Sequence, residues 1–484
     1  MANIENNLSK DFVLTSSNEG MGPLELAFFV VAAAGPLLVV AGFAPLAFMI
    51  GGIGAPGAQL FAGLVLLLFA VGFTRMAMRV HNRGAFYAYI GKSLGKVMGG
   101  GAAALATAAY CVITFGQLGA FGAFASGSMS RLAGIEIDWV WFSLGAWALV
   151  AFLGYQQISL SAKVLGVALI SEVLILVVLA VPVLLSGGPE GFTAEPILPT
   201  SIFGGLGTGA MFAIVFGAFI GFESTAVYAE EARNPGKTVP QATFMAVGFL
   251  TVFYGFMAWV AVVAFGESQV VAVATESPTE MFFIATERYV GHGATIVMEL
   301  LLITSTFASS LAFHNTGSRY LFTLSREGLL PAFLGRINQV NRSPQAACLT
   351  VSAIALAVVL VSRLVGLDPY LELFLIAVAP SILAIIVLQL ICSVAILVYF
   401  RTDKTSDNGV FVTTIAPVLS MIGLAVATWL ITVNFSLLSG REGVANVVIL
   451  SSLPIVFLIG MGRTIALRRS DPERYGRLTE TKIW

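Results

Sequence analysis

Charged side chains are scarce in this sequence, since Asp, Glu, Lys and Arg together make up 11% of its 484 residues. A water-soluble chain of this length carries roughly 25% charged residues, and a folded surface needs them to stay dispersed in water. Apolar residues reach 58%, and the mean hydropathy is +0.92. These values exclude an ordinary soluble protein and indicate a chain whose main solvent is lipid.

Cysteine and histidine are also rare, with three residues of each type. The cysteines lie inside apolar stretches and the histidines are scattered, so we expect buried free thiols and neither a disulfide framework nor a metal site. These residues are Cys111, Cys348, Cys392, His81, His292 and His314. We find no phosphate-binding Walker loop, no catalytic triad spacing and no basic-aromatic patch. The sequence therefore predicts no enzyme, no bound cofactor and no nucleic-acid partner.

Long apolar runs dominate what is present, and a membrane-spanning helix needs about twenty such residues. Twelve stretches qualify, at roughly 24–50, 57–77, 98–125, 139–155, 162–185, 202–228, 240–265, 291–313, 345–362, 371–399, 411–437 and 444–466. Short strands with alternating polarity are absent, which argues against a β-barrel. The first run follows a polar tail of about twenty residues and does not resemble a cleaved signal peptide. We expect an all-α membrane protein with twelve transmembrane helices.

The placement of basic residues predicts the orientation of the chain. If the tails and the loops that join even to odd spans share one side, that side holds 21 of the 25 lysines and arginines. The other side holds only Arg131, Arg288, Arg363 and Arg441. Cytoplasmic loops carry such an excess of positive charge. We therefore expect a multi-pass protein of the cell (plasma or inner) membrane with both termini in the cytoplasm. The longest connections, 77–97 and 314–344, predict amphipathic elements on the membrane surface.

Two spans carry helix-breaking residues near their middle, Gly35-Pro36 in the first and Gly217 with Gly221 in the sixth. The breaks begin two successive sets of five spans, a pattern typical of an inverted repeat whose discontinuous helices meet at the midplane. Simple kinks or close-packing points are the alternative. The repeat predicts five parts: a cytoplasmic tail 1–23, repeats 24–186 and 202–400, helices 11 and 12 in 411–466, and a cytoplasmic tail 467–484.

The breaks predict complementary binding groups. Pro36 is suited to open the outer half of the first span, so the N–H groups of Leu37 and Leu38 would carry a partial positive charge that suits a carboxylate. The outer half of the sixth span would end near Phe216 and Gly217, whose carbonyl groups suit an ammonium group. The pair of breaks therefore predicts a site for a zwitterion.

Acidic residues within the spans are the next candidates, because intramembrane carboxylates are costly and often mark a transport route. We interpret Glu223 as a gating or charge-sensing residue, with capping of the following half-helix as the alternative. We interpret Glu172 as a protonatable coupling residue, with a plain interhelical hydrogen bond as the alternative. Glu299 and Glu372 lie nearer span ends, and we expect structural or surface roles for them.

Hydroxyl groups in span 8 supply a second coupling hypothesis. Thr306, Ser309 and Ser310 share one helix face and could form part of a Na⁺ site, although such residues also pack helices together. Proton coupling through Glu172 competes with this Na⁺ hypothesis. Candidates for the side-chain pocket are Tyr110, Gln117, Phe216, Phe219 and Phe307, with lipid-facing or packing roles as the alternative.

Three segments resemble the amino acid–polyamine–organocation (APC) superfamily of permeases, which have the LeuT-like 5+5 fold. The most specific is 217–240 (GAFIGFESTAVYAEEARNPGKTVP), similar to the sixth span of the family and the EE-x-x-NP segment after it. The others are 82–95 (NRGAFYAYIGKSLG), similar to the loop between spans 2 and 3, and 318–331 (SRYLFTLSREGLLP), similar to the segment after span 8. Together with the spans, the resemblance covers about residues 24–400.

The resemblance implies roles for particular positions. A substrate carboxylate would bind at Ala34, Gly35, Pro36 and Leu37, and its amino group at the carbonyl groups of Phe216, Gly217, Ala218, Phe219 and Ile220. Glu223 matches the acidic position that amine exchangers of the family use in gating or cation binding. Glu172 falls where proton-coupled relatives carry a lysine, and Ala-Gly-Pro replaces the Gly-Ser-Gly type of break in span 1. Both differences are departures from the family pattern.

We therefore expect a secondary active transporter (permease) of amino acids that works by alternating access, as a symporter coupled to a cation, first of all the proton. A polyamine or amine transporter or exchanger and a Na⁺-coupled amino-acid symporter are the alternatives, and a non-transporting membrane scaffold is the alternative from another class. The expected partners are a small-molecule amino acid or amine and the lipid bilayer. H⁺ or Na⁺ is the only cofactor-like ion expected, and the oligomeric state stays unassigned.

Overall fold

The computed structural model describes residues 20–80, 86–156, 162–227, 232–338, 343–402 and 409–478. This described part is almost entirely helical and contains no strand, apart from an isolated parallel bridge between Met21 and Ala232. The α-helical character predicted from the apolar runs is confirmed.

The helices follow one another with short connections. They are α1 (Pro23–Ala34), α2 (Pro36–Leu38), α3 (Ala44–Gly51), α4 (Ala55–Ala77), α5 (Phe86–Leu94), α6 (Lys96–Ala133), α7 (Trp139–Tyr155), α8 (Ala162–Ser186), α9 (Pro199–Phe203), α10 (Thr208–Gly217), α11 (Ser224–Val227), α12 (Pro235–Phe265), α13 (Val270–Glu276), α14 (Met281–Tyr289), α15 (His292–Arg326), α16 (Gln345–Leu364), α17 (Leu375–Thr402), α18 (Ala416–Val433), α19 (Phe435–Ser439), α20 (Gly443–Ser470) and α21 (Pro472–Arg477). Wider π-helical turns, Val39–Phe43, Pro369–Phe374 and Phe411–Ile415, precede α3, α17 and α18.

Nine helical stretches of the described residues are long and apolar enough to cross a membrane. They are Pro36–Ala77, Lys96–Ala133, Gly166–Ser186, Pro235–Phe265, His292–Arg326, Gln345–Leu364, Pro369–Thr402, Phe411–Val433 and Gly443–Ser470. Three shorter apolar helices, Pro23–Ala32, Trp139–Tyr155 and Thr208–Gly217, accompany them. The chain is therefore a multi-pass membrane protein.

Helix α6 is a central packing element, because α5, α7, α15, α17 and α20 all lie against it. Its contact with α20 is close: a Cβ atom added at Gly460 would lie 2.5 Å from the carbonyl oxygen of Gly100. Small residues at such crossings let two helix backbones approach, which strengthens packing where lipid supplies no hydrophobic drive. Only 6% of the apolar window of α20 is buried, and Val444, Ile455 and Leu458 are more than half exposed, as expected of a helix that faces lipid.

Two expected boundaries are corrected by the structure. Helix α15 continues to Arg326, thirteen residues beyond the expected end of span 8, because the segment after the apolar run still packs on the protein. Helix α5 forms within the expected surface connection 77–97, but it is buried rather than lying on the membrane surface. Tyr87 and Tyr89 are at most 2% exposed, since α5 packs between α6 and α17. His81 and the first residues of the 82–95 motif lie outside the described residues.

Candidate functional site

The first helix break lies at Gly35, as predicted. Helix α1 ends at Ala34, Gly35 adopts φ +68°, and Pro36 begins α2. A positive φ is unstrained for glycine, and proline is favoured at a first helical position because its missing N–H would have no partner there. The chain then continues through the π-helical turn Val39–Phe43 into α3. The N–H of Leu37 is thereby left without a partner in its own helix.

That N–H binds a carboxylate of the chain itself. The Leu37 N–H donates to Glu172 Oε2 over 2.9 Å, and the Ser305 hydroxyl donates to the same oxygen over 3.0 Å. Glu172 comes from the middle of α8 and is 3% exposed. The structure therefore brings together the predicted anion-binding helix end and one of the two predicted acids. Ser305, which the sequence analysis did not select, completes this group.

The second helix break follows α10, which ends at Gly217 as predicted. The next residues form tight turns, in which the Phe219 N–H donates to the Phe216 carbonyl and the Ile220 N–H to the Gly217 carbonyl. The turns thus already supply N–H donors to the two carbonyl groups that the sequence assigns to an ammonium group. Gly221 then adopts φ +114°, and α11 begins at Ser224.

Glu223 lies at this second break and is 2% exposed. Its Oε2 accepts the Gly221 N–H over 3.0 Å, and its Oε1 accepts the Tyr110 hydroxyl. The Tyr110 ring stacks on Tyr320, with 5.3 Å between ring centroids. Of the predicted side-chain candidates, Tyr110 therefore contacts a predicted gating residue directly.

The two break regions are neighbours. A Cβ atom added at Gly217 would lie 3.4 Å from the ring of Phe43, which ends the π-helical turn of the first break. A cavity of about 20 Å³, enough for about one water molecule, lies between them. The side chains of Gln59 and Tyr254 line it, and both carry a buried polar atom without a hydrogen-bond partner among the described residues. An amino acid does not fit in this closed conformer.

Buried charge in the described residues is exclusively acidic, because Glu172, Glu223, Glu299 and Glu327 are buried and no lysine or arginine is. Glu299 forms an ion pair with Arg131 over 2.8 Å. Glu372 forms one with Arg441, also over 2.8 Å. These ion pairs fit the structural roles expected for Glu299 and Glu372. Glu172 and Glu223 are left with hydrogen bonds alone.

The three hydroxyl residues predicted for Na⁺ are placed differently from one another. Thr306 and Ser310 donate to carbonyl groups of their own helix, those of Leu302 and Thr306. The Ser309 hydroxyl is buried without a partner among the described residues. Ser309 lies one turn beyond Ser305, the residue that contacts Glu172.

The aromatic candidates for the side-chain pocket lie in two different hydrophobic clusters. Phe307 packs against Phe121 and against a smaller hydrophobic cluster of α6, α7 and α16 that is distinct from the main core. Phe216 and Phe219 belong to the main core, where the Phe219 ring contacts Tyr254. Gln117 is buried, and its Oε1 has no partner among the described residues.

An aromatic group that the sequence analysis missed covers the first break. The Tyr370 hydroxyl donates to the carbonyl of Gly42, and its ring stacks on Phe374 with 5.6 Å between centroids. Phe374 contacts Phe43 edge-on, and Phe124 packs on Tyr370. The only signal in the sequence is their aromatic type, which is too common in apolar spans to single them out.

Glu327 is a further buried acid, just beyond the end of α15. It accepts the Tyr87 hydroxyl over 3.2 Å. Burial raises the pKa of Glu327 to about 7, because the opposing effect of the Tyr87 hydrogen bond is smaller. Glu327, which lies outside the membrane-spanning segments, therefore gains or loses its proton near neutral pH.

Comparison with known proteins adds independent findings. The chain matches the family model described as "Amino acid permease" over residues 27–473. It is 24% identical over 307 residues to a branched-chain amino acid permease of Bacillus subtilis, and 27% identical over 195 residues to one of Lactococcus lactis. It is 26% identical over 273 residues to the Asc-type amino acid transporter 1 of Mus musculus.

These three alignments cover 59%, 40% and 54% of this chain. They cover 63%, 41% and 45% of the relatives, so the chain spans about half the length of the curated relatives that it matches.

Proposed function

We propose that this chain, which belongs to the amino acid permease family, is a secondary active transporter that carries an amino acid across a membrane by alternating access. The family assignment favours a permease over an enzyme. The relatives, branched-chain amino acid permeases among them, favour amino acids as the substrate class. The single observation that carries the proposal is the pair of neighbouring helix breaks, each with a buried carboxylate at its backbone.

The proposed architecture has twelve spans in a LeuT-like 5+5 inverted repeat followed by two helices. Nine long and three shorter apolar helices support this number. The repeats would be 24–186 and 202–400, with helices 11 and 12 in 411–466 and tails 1–23 and 467–484. The excess of basic residues in one set of loops supports cytoplasmic termini and a place in the cell membrane.

In the proposed site, the substrate carboxylate binds at the first break (Ala34, Gly35, Pro36 and Leu37). Its amino group binds the carbonyl groups of Phe216, Gly217, Ala218, Phe219 and Ile220. Tyr110 and Glu223 close one side of this site. Phe307 remains a candidate only if its cluster moves toward the breaks when the protein opens.

Glu172 supplies the proposed coupling to protons. A charged carboxylate is the stronger acceptor for the Leu37 N–H and the Ser305 hydroxyl. A proton on Glu172 weakens both hydrogen bonds and releases the Leu37 N–H to a substrate carboxylate. Proton binding and substrate binding therefore favour one another, which is the thermodynamic requirement of a symporter.

Na⁺ coupling is the second candidate for the same place. Its support is the carboxylate of Glu172 beside Ser305, with the unpartnered hydroxyl of Ser309 one turn away. Oxygen ligands of this kind suit a hard cation. Thr306 and Ser310 would take part only after breaking their bonds to the α15 backbone.

Amine transport is the alternative substrate class. It is favoured by two buried carboxylates without a buried cation among the described residues. An amine without a carboxylate would bind Glu223 and leave Glu172 on Leu37. Replacing Glu223 with Gln should then abolish binding, whereas a neutral amino-acid carrier keeps much of it.

The experiment is uptake and counterflow in proteoliposomes over a panel of amino acids and polyamines, at two pH values, with and without Na⁺. We expect counterflow of neutral aliphatic amino acids that is faster at the lower external pH and independent of Na⁺. Absence of flux for every substrate would overturn the transporter proposal in favour of a scaffold. Flux of amines alone would overturn the amino-acid assignment.

A further inference from the structure

A second cavity, of about 400 Å³, lies at the ends of three membrane-spanning elements, and no residue of either helix break lines it. It is formed where α4 ends, where α12 begins and where the π-helical turn Phe411–Ile415 begins. Its apolar lining includes Val71, Phe244 and Phe411. Its charged lining consists of Arg75 and Lys237.

The described charged lining of this cavity is positive. No Asp or Glu among the described residues lines it, and no ion pair joins Arg75 or Lys237 to an acid of that part of the chain. Lys237 also lies in the first turn of α12, where the helix dipole adds a partial positive charge. Two unpaired cations beside a helix start are the arrangement that a phosphate group prefers.

An apolar surface leads away from the two cations. Leu64, Leu68, Val71 and Arg75 follow one another on one face of α4, since residues three and four apart share a helix face. Leu64 is 55% exposed. From Leu64 to Arg75 the helix rises by eleven steps of about 1.5 Å, or about 16 Å, which matches one leaflet of a hydrocarbon core about 30 Å thick.

The neighbouring helices give this surface side walls. A Cβ atom added at Gly63 would meet Thr251 of α12, and one added at Gly423 of α18 would meet Val65. Helix α4 therefore lies between α12 and α18, and its exposed stripe forms the floor of a groove. Phe244 and Phe411, which line the cavity, are 37% and 52% exposed.

We propose that this groove binds one anionic phospholipid, with its phosphate between Arg75 and Lys237 and an acyl chain along Leu64, Leu68 and Val71. Basic pockets between membrane helices bind anionic headgroups, and here the apolar floor has the length of one leaflet. The groove joins α4 and α12 to α18, so the lipid would brace these three helices at one end of the molecule. The inference depends on the membrane location alone and stands whether or not the transport proposal holds.

The test is lipid binding to the purified full chain in detergent, by native mass spectrometry and by the shift in thermal unfolding temperature. The probes are phosphatidylglycerol, phosphatidylcholine with the same acyl chains, and inorganic phosphate. Each cation near a membrane surface is worth roughly fivefold in affinity for an anionic lipid. We therefore expect one retained phosphatidylglycerol, weaker phosphatidylcholine binding, and a roughly 25-fold loss in the double variant Arg75→Gln/Lys237→Gln.

The matched control is Arg319→Gln/Arg469→Gln, which removes two exposed arginines that do not line the cavity. This control should bind phosphatidylglycerol as the unchanged protein does. The single variants Arg75→Gln and Lys237→Gln should each lose about fivefold, and they keep the test decisive if the double variant does not fold. Equal binding of the two lipids, or unchanged phosphatidylglycerol binding in the variants, overturns the proposal. Equal stabilisation by inorganic phosphate overturns it in favour of a free-anion site.

Discussion

At the scale of single residues, the central feature is the contact between Glu172 and the Leu37 N–H. A buried carboxylate is costly unless donors compensate it, and here a helix end and Ser305 supply two. The same N–H is the group that an amino-acid carboxylate would use. In the proposed mechanism the substrate carboxylate takes over the place that Glu172 holds, so that protonation of Glu172 is coupled to substrate binding.

The backbone at Gly221 gives a prediction at this scale. Gly221 has φ +114°, and an added Cβ atom would meet nothing within 4 Å, so Gly221→Ala perturbs the backbone alone. We expect a loss of about 1–2 kcal/mol of stability and slower counterflow, because the turn carries the N–H that binds Glu223. The measurement is the thermal unfolding temperature together with counterflow in proteoliposomes.

Gly248→Ala is the matched control, because its Cβ atom also meets nothing within 4 Å but its backbone is helical. That substitution should leave stability unchanged or raise it by up to about 1 kcal/mol. If both variants behave alike, the conformation at Gly221 has no special role.

At the scale of helices, the apolar spans and both breaks could be predicted from the sequence, because apolar length and Gly-Pro chemistry are local properties. Which side of each helix faces a given neighbour could not be predicted. Ser305 contacts Glu172, whereas Thr306, rotated by about 100°, bonds to its own backbone. Hydroxyl groups spread around α15 at Thr304, Ser305, Thr306, Ser309 and Ser310, so they carry no periodic signal for such a rotation. For the same reason the sequence does not show that Phe307 packs in a separate cluster.

The crossing of α6 and α20 gives a prediction at this scale. A Cβ atom at Gly460 would lie 2.5 Å from the Gly100 carbonyl oxygen and 2.6 Å from Ala104 Cβ, so Gly460→Ala forces the helices apart. We expect a destabilisation of about 1–3 kcal/mol, seen as a lower unfolding temperature in detergent. Gly462→Ala, on the same helix with open space around its Cβ atom, should show no loss. Equal stability of the two variants would contradict close packing at this crossing.

At the scale of the whole molecule, the conformer is closed around the two breaks. Glu172, Glu223, Tyr110 and Leu37 are at most 4% exposed, and the Tyr370 group covers the first break. Composition and charge placement were enough to predict a membrane-embedded bundle, because both can be counted in the sequence without knowing which residues are in contact. The closed state was not predictable, because it depends on contacts such as Tyr110 with Glu223 that join distant positions. The proposed alternating access requires these contacts to open in turn.

The most direct test of the account is substrate accumulation driven by an inward proton gradient in proteoliposomes. The test variant is Glu172→Gln, and the control is Glu327→Gln. The control removes a buried acid that lies outside the membrane spans and has a pKa of about 7. We predict accumulation above equilibrium in the unchanged protein and in Glu327→Gln. Glu172→Gln should not accumulate substrate, because its side chain cannot take up a proton. It should keep counterflow exchange, because an uncharged amide, like a protonated Glu172, leaves the Leu37 N–H available to the substrate. Gradient-driven accumulation in Glu172→Gln equal to that of the unchanged protein, or a strict Na⁺ requirement that Glu172→Gln does not alter, would contradict the account.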